Sequence, residues 1–336
     1  MFGHCLDPAA RDVLRHYSFL GLETRLTALG NHGGFSGACL WRVEAEGLTC
    51  CLRAWPAGDP SPERLHWIHD LMAVARARGL ECIPEIYRTS EKTSWIENGG
   101  RLWELSSWMP GRADFHERPS RARLEACCRA LARVHCAWAD RGVNAAPCAG
   151  IQRRLERAHQ WRSLVTSGWV PAFAASELKQ VRSSAERAWS LLQIWADRVP
   201  ALLTPWANRN FPLQPCLCDM WHDHVLFTGD LVRGFIDFGG VKIDHVSVDL
   251  ARLLGSMVGD DRAVFDLGLE SYARIRPLSD EQRALARLLD ITGVLIGIEN
   301  WLRWLYAERK SLDDADAASK RLQALVERVE KWVPLA

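Results

Sequence analysis

A short hairpin flanked by two aspartates constrains this chain more than any other stretch of its 336 residues. Residues 225–227 predict one apolar strand, residues 231–236 predict the next, and Thr-Gly-Asp at 228–230 supplies the turn. Asp219 precedes the first strand, and Asp237 follows the second, 18 residues later. Because a hairpin returns its two ends to one place, the pattern predicts that the two carboxylates lie side by side.

Two neighbouring carboxylates suit the transfer of a phosphoryl group from a nucleotide triphosphate. One carboxylate can orient an acceptor hydroxyl, and the other can hold Mg²⁺, which prefers hard oxygen donors. Taken alone, Asp219 is better explained as a loop aspartate that caps a turn. The hairpin and the second aspartate favour the catalytic interpretation.

These residues resemble the aminoglycoside phosphotransferase and choline-kinase-like family, relatives of the protein kinases. In that family a catalytic Asp is followed five residues later by a metal-binding Asn and, after a hairpin, by a second Asp. Asp219 and Asp237 match the two aspartates, so the resemblance implies that Asp219 is the catalytic residue and that Asp237 is a ligand of the metal ion. Phe238-Gly239 behind the second aspartate also matches the family. Two positions depart from the pattern: His224 replaces the Asn, and Leu217-Cys218 replaces the usual His-Gly.

The substitution at His224 leaves three interpretations open. The imidazole binds the metal ion, and as a softer donor than an amide oxygen it favours Mn²⁺ over Mg²⁺. Alternatively, His224 only forms a hydrogen bond near Asp219, and Asp237 alone holds the metal. In the third interpretation the site is catalytically dead. Because both aspartates are kept, we favour the first two.

The resemblance implies an α+β, two-lobed, protein-kinase-like fold, with a small antiparallel-sheet N-lobe containing one helix and a large, mainly helical C-lobe. The local patterns agree with this. They predict about five strands in the N-terminal third, a helix that begins after Ser61 between the third and fourth strands, and a hairpin turn at Asn98-Gly99. The predicted boundaries are residues 1–19 for an N-terminal helix or arm, 20–107 for the nucleotide-binding lobe, and 108–336 for the catalytic loop and acceptor-binding helices.

Arg53 lies on the strand where kinases place the lysine that binds the α- and β-phosphates. Only six lysines occur, and none precedes Lys92, so a phosphate clamp on this strand must be an arginine. The guanidinium can serve, because it is permanently charged and binds two oxygens at once. The alternative is a solvated strand arginine. Glu63, in the first turn of the following helix, is the candidate partner of Arg53, although a carboxylate there is also favoured by the helix dipole.

The glycine-rich segment 30–37 joins the first two strands and contains Gly33, Gly34 and Ser36. Its glycines would let backbone N–H groups approach phosphate oxygens. A plain hairpin turn is the alternative. At the end of the last predicted strand of this lobe, the resemblance implies that the backbone of Ser107, Trp108 and Met109 binds adenine.

Two further residues lie near the proposed site. Asp249 opens a helix in a family-like Asp-Leu-Ala pattern, and we interpret it as a support for the loop that carries Asp237. Trp221 lies inside the catalytic loop, two residues after Asp219. The other tryptophans are expected mainly in the core.

Composition excludes several classes of partner. A net charge of +1 gives no field that would favour a nucleic acid or a membrane surface. The N-terminal residues contain no basic region followed by an apolar run, so no signal peptide is predicted. The eleven cysteines are scattered, without a Cys-x-x-Cys pair, and are expected to be reduced in a cytoplasmic protein.

The sequence therefore predicts an ATP-dependent phosphotransferase that moves the γ-phosphate to a hydroxyl of a small molecule, with Mg²⁺ or Mn²⁺ as cofactor. The acceptor stays open among aminoglycosides, choline, homoserine and sugars, as does the oligomeric state. Asp313, Asp314 and Asp316 fit either a cationic acceptor or a solvated helix start. One alternative is a pseudokinase or nucleotide-binding regulatory module. Another is a metal-dependent hydrolase that uses His222, Asp223 and His224, which is less favoured because adjacent residues rarely converge on one ion.

Overall fold

The computed structural model describes residues 7–21, 23–30, 37–173, 181–309 and 315–332, so Gly33, Gly34 and Ser36 lie outside the described residues. The chain divides into two compact units. The first comprises Met1–Trp138 and His222–Val241, and the second comprises Ala139–Trp221 and Lys242–Ala336. This division does not follow the lobe boundary predicted between residues 107 and 108, and the lobe boundaries stay a prediction.

An antiparallel sheet with the strand order β1-β2-β3-β5-β4 forms the centre of the first unit. Its strands are β1 (Arg25–Gly30), β2 (Cys39–Ala45), β3 (Leu48–Ala54), β4 (Ile96–Asn98) and β5 (Arg101–Ser107). Helix α2 (Pro62–Ala77) follows β3, and its first turn is capped by the hydroxyl of Ser61, which accepts a hydrogen bond from the N–H of Arg64. The predicted five-stranded sheet with one helix after the third strand is therefore confirmed.

The alternation of apolar residues along β2 and β3 builds the core of this sheet. Trp41 and Trp103 are fully buried, and their rings stack with centroids 5.3 Å apart. Helix α1 (Asp7–Leu14) adds Ala10 and Val13 to the same cluster. Successive side chains of a strand point to opposite faces, so the buried positions of β3 alternate with the position of Arg53.

Two local predictions differ from the structure. The apolar residues at 83–87 predict a strand. In the structure they form only an isolated bridge between Ile86 and Ser106, because Pro84 has no N–H to donate to a strand ladder. The β4–β5 turn lies at Gly99-Gly100, one residue later than predicted. Asn98 still pairs with Arg101, and both glycines adopt the positive φ that such a two-residue turn requires.

The predicted hairpin after Asp219 is present in the first unit as β8 (Val225–Thr228) and β9 (Leu231–Phe235). Its first strand is also bonded to Arg112: the N–H of Arg112 donates to the carbonyl of Phe227 at 3.0 Å, and the N–H of Phe227 donates back at 2.9 Å. Gly111 has a φ of +102°, and a Cβ there would lie 2.7 Å from the carbonyl oxygen of Phe227. Only glycine fits this approach.

We expect Gly111→Ala to lower the free energy of unfolding by about 2–4 kcal/mol, because the added methyl must push the hairpin strand away and the backbone is strained. Gly99→Ala is the matched control. It also has a positive φ, of +62°, but open space around its Cβ position. Its expected cost is about 1 kcal/mol. Chemical denaturation measures both values, and equal costs would show that the contact with Phe227 is unimportant.

Helix α3 (Arg121–Trp138) completes the named elements of the first unit. The second unit contains a small antiparallel sheet in the order β10-β7-β6, with the strands β6 (Val143–Pro147), β7 (Asn210–Cys216) and β10 (Lys242–Asp244). Its helices are α4 (Ala149–Thr166), α5 (Arg182–Trp195), α6 (Arg198–Leu203), α7 (Ser247–Val258), α8 (Arg262–Ala273), α9 (Asp280–Leu302) and α10 (Ala315–Glu330).

Helix α9 is the centre of the second unit, and its apolar residues share one core with α4, α5 and α10. The sequence Ser-Asp-Glu-Gln at 279–282 predicts a capping box at the start of this helix, and the structure contains it, with Ser279 and Gln282 bonded reciprocally. Within the described ranges, no helix combines the length and the apolar character needed to cross a lipid bilayer. The sheet of the first unit and the helices of the second confirm the α+β class.

Candidate active site

Arg53 of β3 lies between two carboxylates of the first unit. Its Nη1 donates to Oδ1 of Asp237 at 3.1 Å, and its Nε lies 3.8 Å from Oε1 of Glu104. The guanidinium also lies over the ring of Trp55, 4.7 Å from the centroid. The side chain is only 16% exposed. Arg53 is therefore not a solvated strand arginine, and its contact with phosphate stays a prediction.

Glu104, which the sequence analysis missed, fills the role predicted for Glu63. Glu104 faces Arg53 directly as its register partner across β3 and β5. Glu63 instead lies exposed in the first turn of α2, where a hydrogen bond with Ser61 lowers the pKa of its carboxyl. The strand register explains why Glu104 and not Glu63 is the partner. Because β3 and β5 are paired, Arg53 and Glu104 lie directly opposite each other.

A chain of buried hydrogen bonds holds Glu104 in place. His69 Nε2 lies 2.8 Å from Oε2 of Glu104, and the indole N–H of Trp55 donates to the same oxygen at 2.9 Å. The other ring nitrogen of His69 lies 2.9 Å from the hydroxyl of Ser94. Burial raises the pKa of Glu104, but the hydrogen bond and charge of His69, together with Arg53, outweigh it and set the pKa below its ordinary value. Glu104 is thus a fixed anion behind Arg53.

Asp237 is held in an unusual backbone conformation, with φ of +62° and ψ of 76°. Aspartate tolerates this region better than most residues, and such outliers concentrate at functional sites. Arg64 of α2 fixes the segment behind it by donating to the carbonyls of Gly239 at 3.1 Å and Val241 at 2.8 Å. Burial raises the pKa of Asp237, but Arg53 and then His224 outweigh it, so the pKa lies below its ordinary value.

His224 faces the second oxygen of Asp237. Its Nε2 lies 3.8 Å from Oδ2 of Asp237, while Oδ1 is bonded to Arg53. Two donors at that separation can bind one divalent ion, for which ligand distances of about 2.0–2.2 Å are usual. The carboxylate and imidazole therefore fit a metal ion, and the nitrogen donor favours Mn²⁺ more than an Asn oxygen would.

Two backbone N–H groups of the segment predicted to bind adenine already form hydrogen bonds within the first unit. The N–H of Ser107 donates to the carbonyl of Glu85 at 2.8 Å, and the N–H of Trp108 donates to the carbonyl of Thr49 at 3.1 Å. An adenine ring at this segment would therefore use carbonyl groups or the N–H of Met109. The binding itself stays a prediction.

Asp219 belongs to the second unit, where its loop is anchored by Asp249. The fully buried carboxylate of Asp249 accepts from the N–H of Leu217 at 2.7 Å and from that of Cys218 at 2.6 Å. Cys218 has a φ of +61°, so this clamp holds the backbone directly before Asp219 in a strained conformation. Asp249 thus supports the loop of Asp219. Its predicted support of the loop of Asp237, which belongs to the other unit, stays a prediction.

The side chain of Asp219 is half exposed and forms an ion pair with Arg252, whose Nη2 lies 3.2 Å from Oδ1. Arg252 follows Asp249 by three residues on α7, so one turn of this helix contacts the loop twice. Since Asp219 and Asp237 fall in different units, their predicted proximity stays a prediction.

Given the catalytic role predicted for Asp219, we expect Asp249→Asn to lower kcat by about tenfold or more, because small displacements of a catalytic group are costly. An amide offers one oxygen where two N–H groups converge, so the free energy of unfolding should also fall, by about 1–3 kcal/mol. Asp261→Asn is the matched control, since Asp261 accepts one N–H, that of Val264, at the start of α8. Steady-state kinetics and chemical denaturation check both changes. An unchanged kcat for Asp249→Asn would refute the role of the clamp.

A sequence profile of the phosphotransferase enzyme family matches residues 27–286. Among curated proteins, a homoserine kinase of Bradyrhizobium diazoefficiens is 30% identical over 182 residues, which cover 48% of this chain and 54% of the relative. A homoserine kinase of Xanthobacter autotrophicus is 25% identical over 241 residues, or 69% of this chain and 68% of the relative. The matches thus span about half to two thirds of these relatives.

Solved structures show the same fold at low sequence identity. A spectinomycin phosphotransferase in complex with ADP and its antibiotic has a TM-score of 0.70 at 12% identity, covering 96% of this chain and 97% of the other. A microcompartment-associated aminopropanol kinase has a TM-score of 0.63 at 14% identity, covering 97% of each chain. The predicted resemblance and the protein-kinase-like fold are therefore confirmed.

Proposed function

This chain belongs to the phosphotransferase enzyme family, and from that premise we propose that it transfers the γ-phosphate of ATP to a hydroxyl group of a small molecule. The observation that carries the proposal is the ion pair between Arg53 and Asp237, which are 184 residues apart in sequence and 3.1 Å apart in the structure. It joins the cation proposed for the phosphates to the carboxylate proposed for the metal.

In the proposed reaction the acceptor hydroxyl oxygen forms a bond to the γ-phosphorus. The bond from that phosphorus to the β–γ bridging oxygen breaks, and its electron pair leaves with ADP. Asp219 orients the hydroxyl and accepts its proton. Arg53, held by Glu104, binds phosphate oxygens and thereby fixes the triphosphate for in-line attack.

The cofactor we propose is Mg²⁺, with Mn²⁺ as the alternative. Asp237 would hold it, with His224 as a second ligand, and the ion would neutralise charge on the phosphate oxygens. The backbone from Ser107 to Met109 would bind adenine, and the segment with Gly33, Gly34 and Ser36 would cover the phosphates. These assignments rest on the family resemblance and on chain position. We further propose that the protein acts in the cytoplasm on a metabolite, without a nucleic-acid partner.

The homoserine kinases and the aminopropanol kinase among the similar proteins make small amino-alcohols the first acceptors to test. The purified protein is incubated with γ-labelled ATP, either Mg²⁺ or Mn²⁺, and L-homoserine, 3-aminopropan-1-ol, choline, spectinomycin or a hexose. We expect one acceptor class to become labelled with stoichiometric release of ADP. The Asp219→Asn variant controls for contaminating kinases.

Two outcomes would overturn the proposal. Tight ATP binding without transfer or ADP release for any acceptor would support the nucleotide-binding regulatory module, which the replacement at His224 keeps under consideration. Tight metal binding without nucleotide, together with hydrolytic activity, would support a hydrolase. The geometry disfavours the hydrolase. His222 Nε2 lies 3.3 Å from Oδ1 of Asp223, but His224 faces Asp237 at 3.8 Å, and among the described residues the three side chains do not converge as a metal-binding group.

A further inference from the structure

Two arginines from different helices lie against one tryptophan beside Asp219, all within the second unit. The guanidinium of Arg252 on α7 lies 5.5 Å from the ring centroid of Trp221, and that of Arg321 on α10 lies 5.3 Å from it. We call Trp221, Arg252 and Arg321 the arginine–tryptophan cluster. Arg321 is exposed and Trp221 is partly buried, so solvent reaches the cluster.

The charges of the cluster are unevenly matched. Arg252 pairs with Asp219, and both side chains are about half exposed. Arg321 forms no ion pair with any residue that the structure describes, and its contact with the Trp221 ring is the interaction it shows. Two like charges held at one ring repel each other, so the cluster favours an added anion. Contact with the ring also restricts both guanidinium groups before any ligand arrives.

We propose that the arginine–tryptophan cluster binds a carboxylate of the acceptor, and that the acceptor is therefore a hydroxylated carboxylic acid or amino acid. This inference rests on the proposed function, since Asp219 must be the residue that orients the acceptor hydroxyl. Arg252 is bonded to Asp219 itself, so the cluster lies within reach of a small molecule whose hydroxyl meets that aspartate. Guanidinium groups match the two oxygens of a carboxylate.

A cationic acceptor is the competing class, and Asp316, which precedes Arg321 by five residues on α10, would favour it. Asp316 is exposed, and Asp313 and Asp314 lie outside the described residues. A phosphate of ATP is the other anion that the cluster could bind. The loss of Arg321 separates these three ligands. It should raise KM for the acceptor if the cluster binds a carboxylate and KM for ATP if it binds a phosphate, and it should raise neither if the acceptor is a cation.

The test uses three acceptors that share a terminal hydroxyl on a chain of similar length. L-homoserine carries a carboxylate and an amine, 4-hydroxybutyrate only the carboxylate, and 3-aminopropan-1-ol only the amine. We expect the wild-type protein to prefer the first two by kcat/KM. Arg321→Gln should raise KM for both by about 10- to 100-fold, the range for lost hydrogen bonds to a charged group. Its KM for 3-aminopropan-1-ol and for ATP should change less than about threefold.

Lys320→Gln is the matched control, because it removes one exposed positive charge from the adjacent position of α10. Arg321→Lys should give an intermediate KM, since it keeps the charge and loses the paired donors. Circular dichroism of each variant checks that α10 still folds. If Arg321→Gln and Lys320→Gln have equal effects, long-range charge rather than a site explains the result, and the proposal is wrong.

The remaining outcomes separate this inference from the proposed function. Efficient phosphorylation of 3-aminopropan-1-ol with no response of the carboxylate acceptors to Arg321→Gln overturns the carboxylate site and leaves the phosphotransferase in place. A selective rise of KM for ATP assigns the cluster to the nucleotide and also overturns the proposal. Absence of transfer to every acceptor in this set and in the wider panel overturns the proposed function, and the inference fails with it.

Discussion

Asp219→Asn is expected to lower kcat for phosphoryl transfer by about 10²- to 10⁴-fold, the range in which a positioned proton acceptor acts. The amide keeps the size of the side chain but cannot accept the hydroxyl proton. KM for ATP should stay within about threefold, because Asp219 is not assigned to the nucleotide. Initial rates with saturating ATP measure the first effect, and ATP binding by calorimetry measures the second.

The surroundings of Asp219 provide a control for this result. Arg252→Gln removes the cation that pairs with Asp219 at 3.2 Å but keeps the carboxylate. At saturating acceptor its kcat should fall much less than that of Asp219→Asn, although its KM for a carboxylate acceptor should rise, because Arg252 belongs to the arginine–tryptophan cluster. If the two variants lose the same kcat, the ion pair rather than proton acceptance explains the defect. If Asp219→Asn keeps more than about half of the wild-type kcat, Asp219 is not the catalytic residue.

Asp237→Asn is expected to lower kcat/KM by about 10³-fold or more, since a metal ion at a transferring phosphate is worth several kcal/mol. The variant also removes the anion that Arg53 binds. The metal concentration for half-maximal rate should rise strongly, which a titration of the rate with Mg²⁺ and with Mn²⁺ measures. An unchanged metal requirement would show that Asp237 is not a ligand.

His224→Asn is the informative companion, because it restores the residue that the family places five positions after the catalytic aspartate. We expect it to shift the ratio of Mn²⁺- to Mg²⁺-supported rates toward Mg²⁺, in the order expected for an oxygen ligand in place of nitrogen. An identical ratio in both proteins would support the second interpretation, in which His224 only forms hydrogen bonds.

The sequence predicted those parts of the fold that local patterns determine. The hairpin after Asp219 follows from two apolar runs and a glycine turn, and the starts of α2 and α9 follow from Ser61 and Ser279 as caps. Each of these signals lies within a few residues of the structure that it specifies. Family membership then confirmed the fold class that these patterns favoured.

The partners of Arg53 were harder to predict, because they depend on contacts between distant segments. Glu104 reaches Arg53 only through the register of β3 and β5, whereas the sequence pattern indicated the helix residue Glu63 as the partner. Both strands were recognised in the sequence, but the alternation of burial that would place Arg53 is clear only along β3. Arg64, which bonds the carbonyls of Gly239 and Val241, follows from the packing of α2 and has no local signal.

The bonds of Asp249 to the loop of Asp219 were hard to predict for a similar reason. Its position at the start of a helix indicated a structural role, and the structure shows that role in its two bonds to Leu217 and Cys218. Which loop it holds depends on how α7 packs in the second unit, and no periodicity in the chain encodes that. A buried carboxylate that needs partners can be recognised from sequence more easily than the partners themselves.

Arg53 shares its single positive charge between Glu104 and Asp237, and this has a consequence for how the binding of metal and the binding of nucleotide affect each other. A divalent cation alone must compete with the guanidinium for Asp237, and a triphosphate alone must compete with Asp237 for the guanidinium. When both arrive together, each displaced partner gains a new one of opposite sign. We therefore expect positive thermodynamic linkage between metal and nucleotide, with each tightening the other's affinity by the same factor.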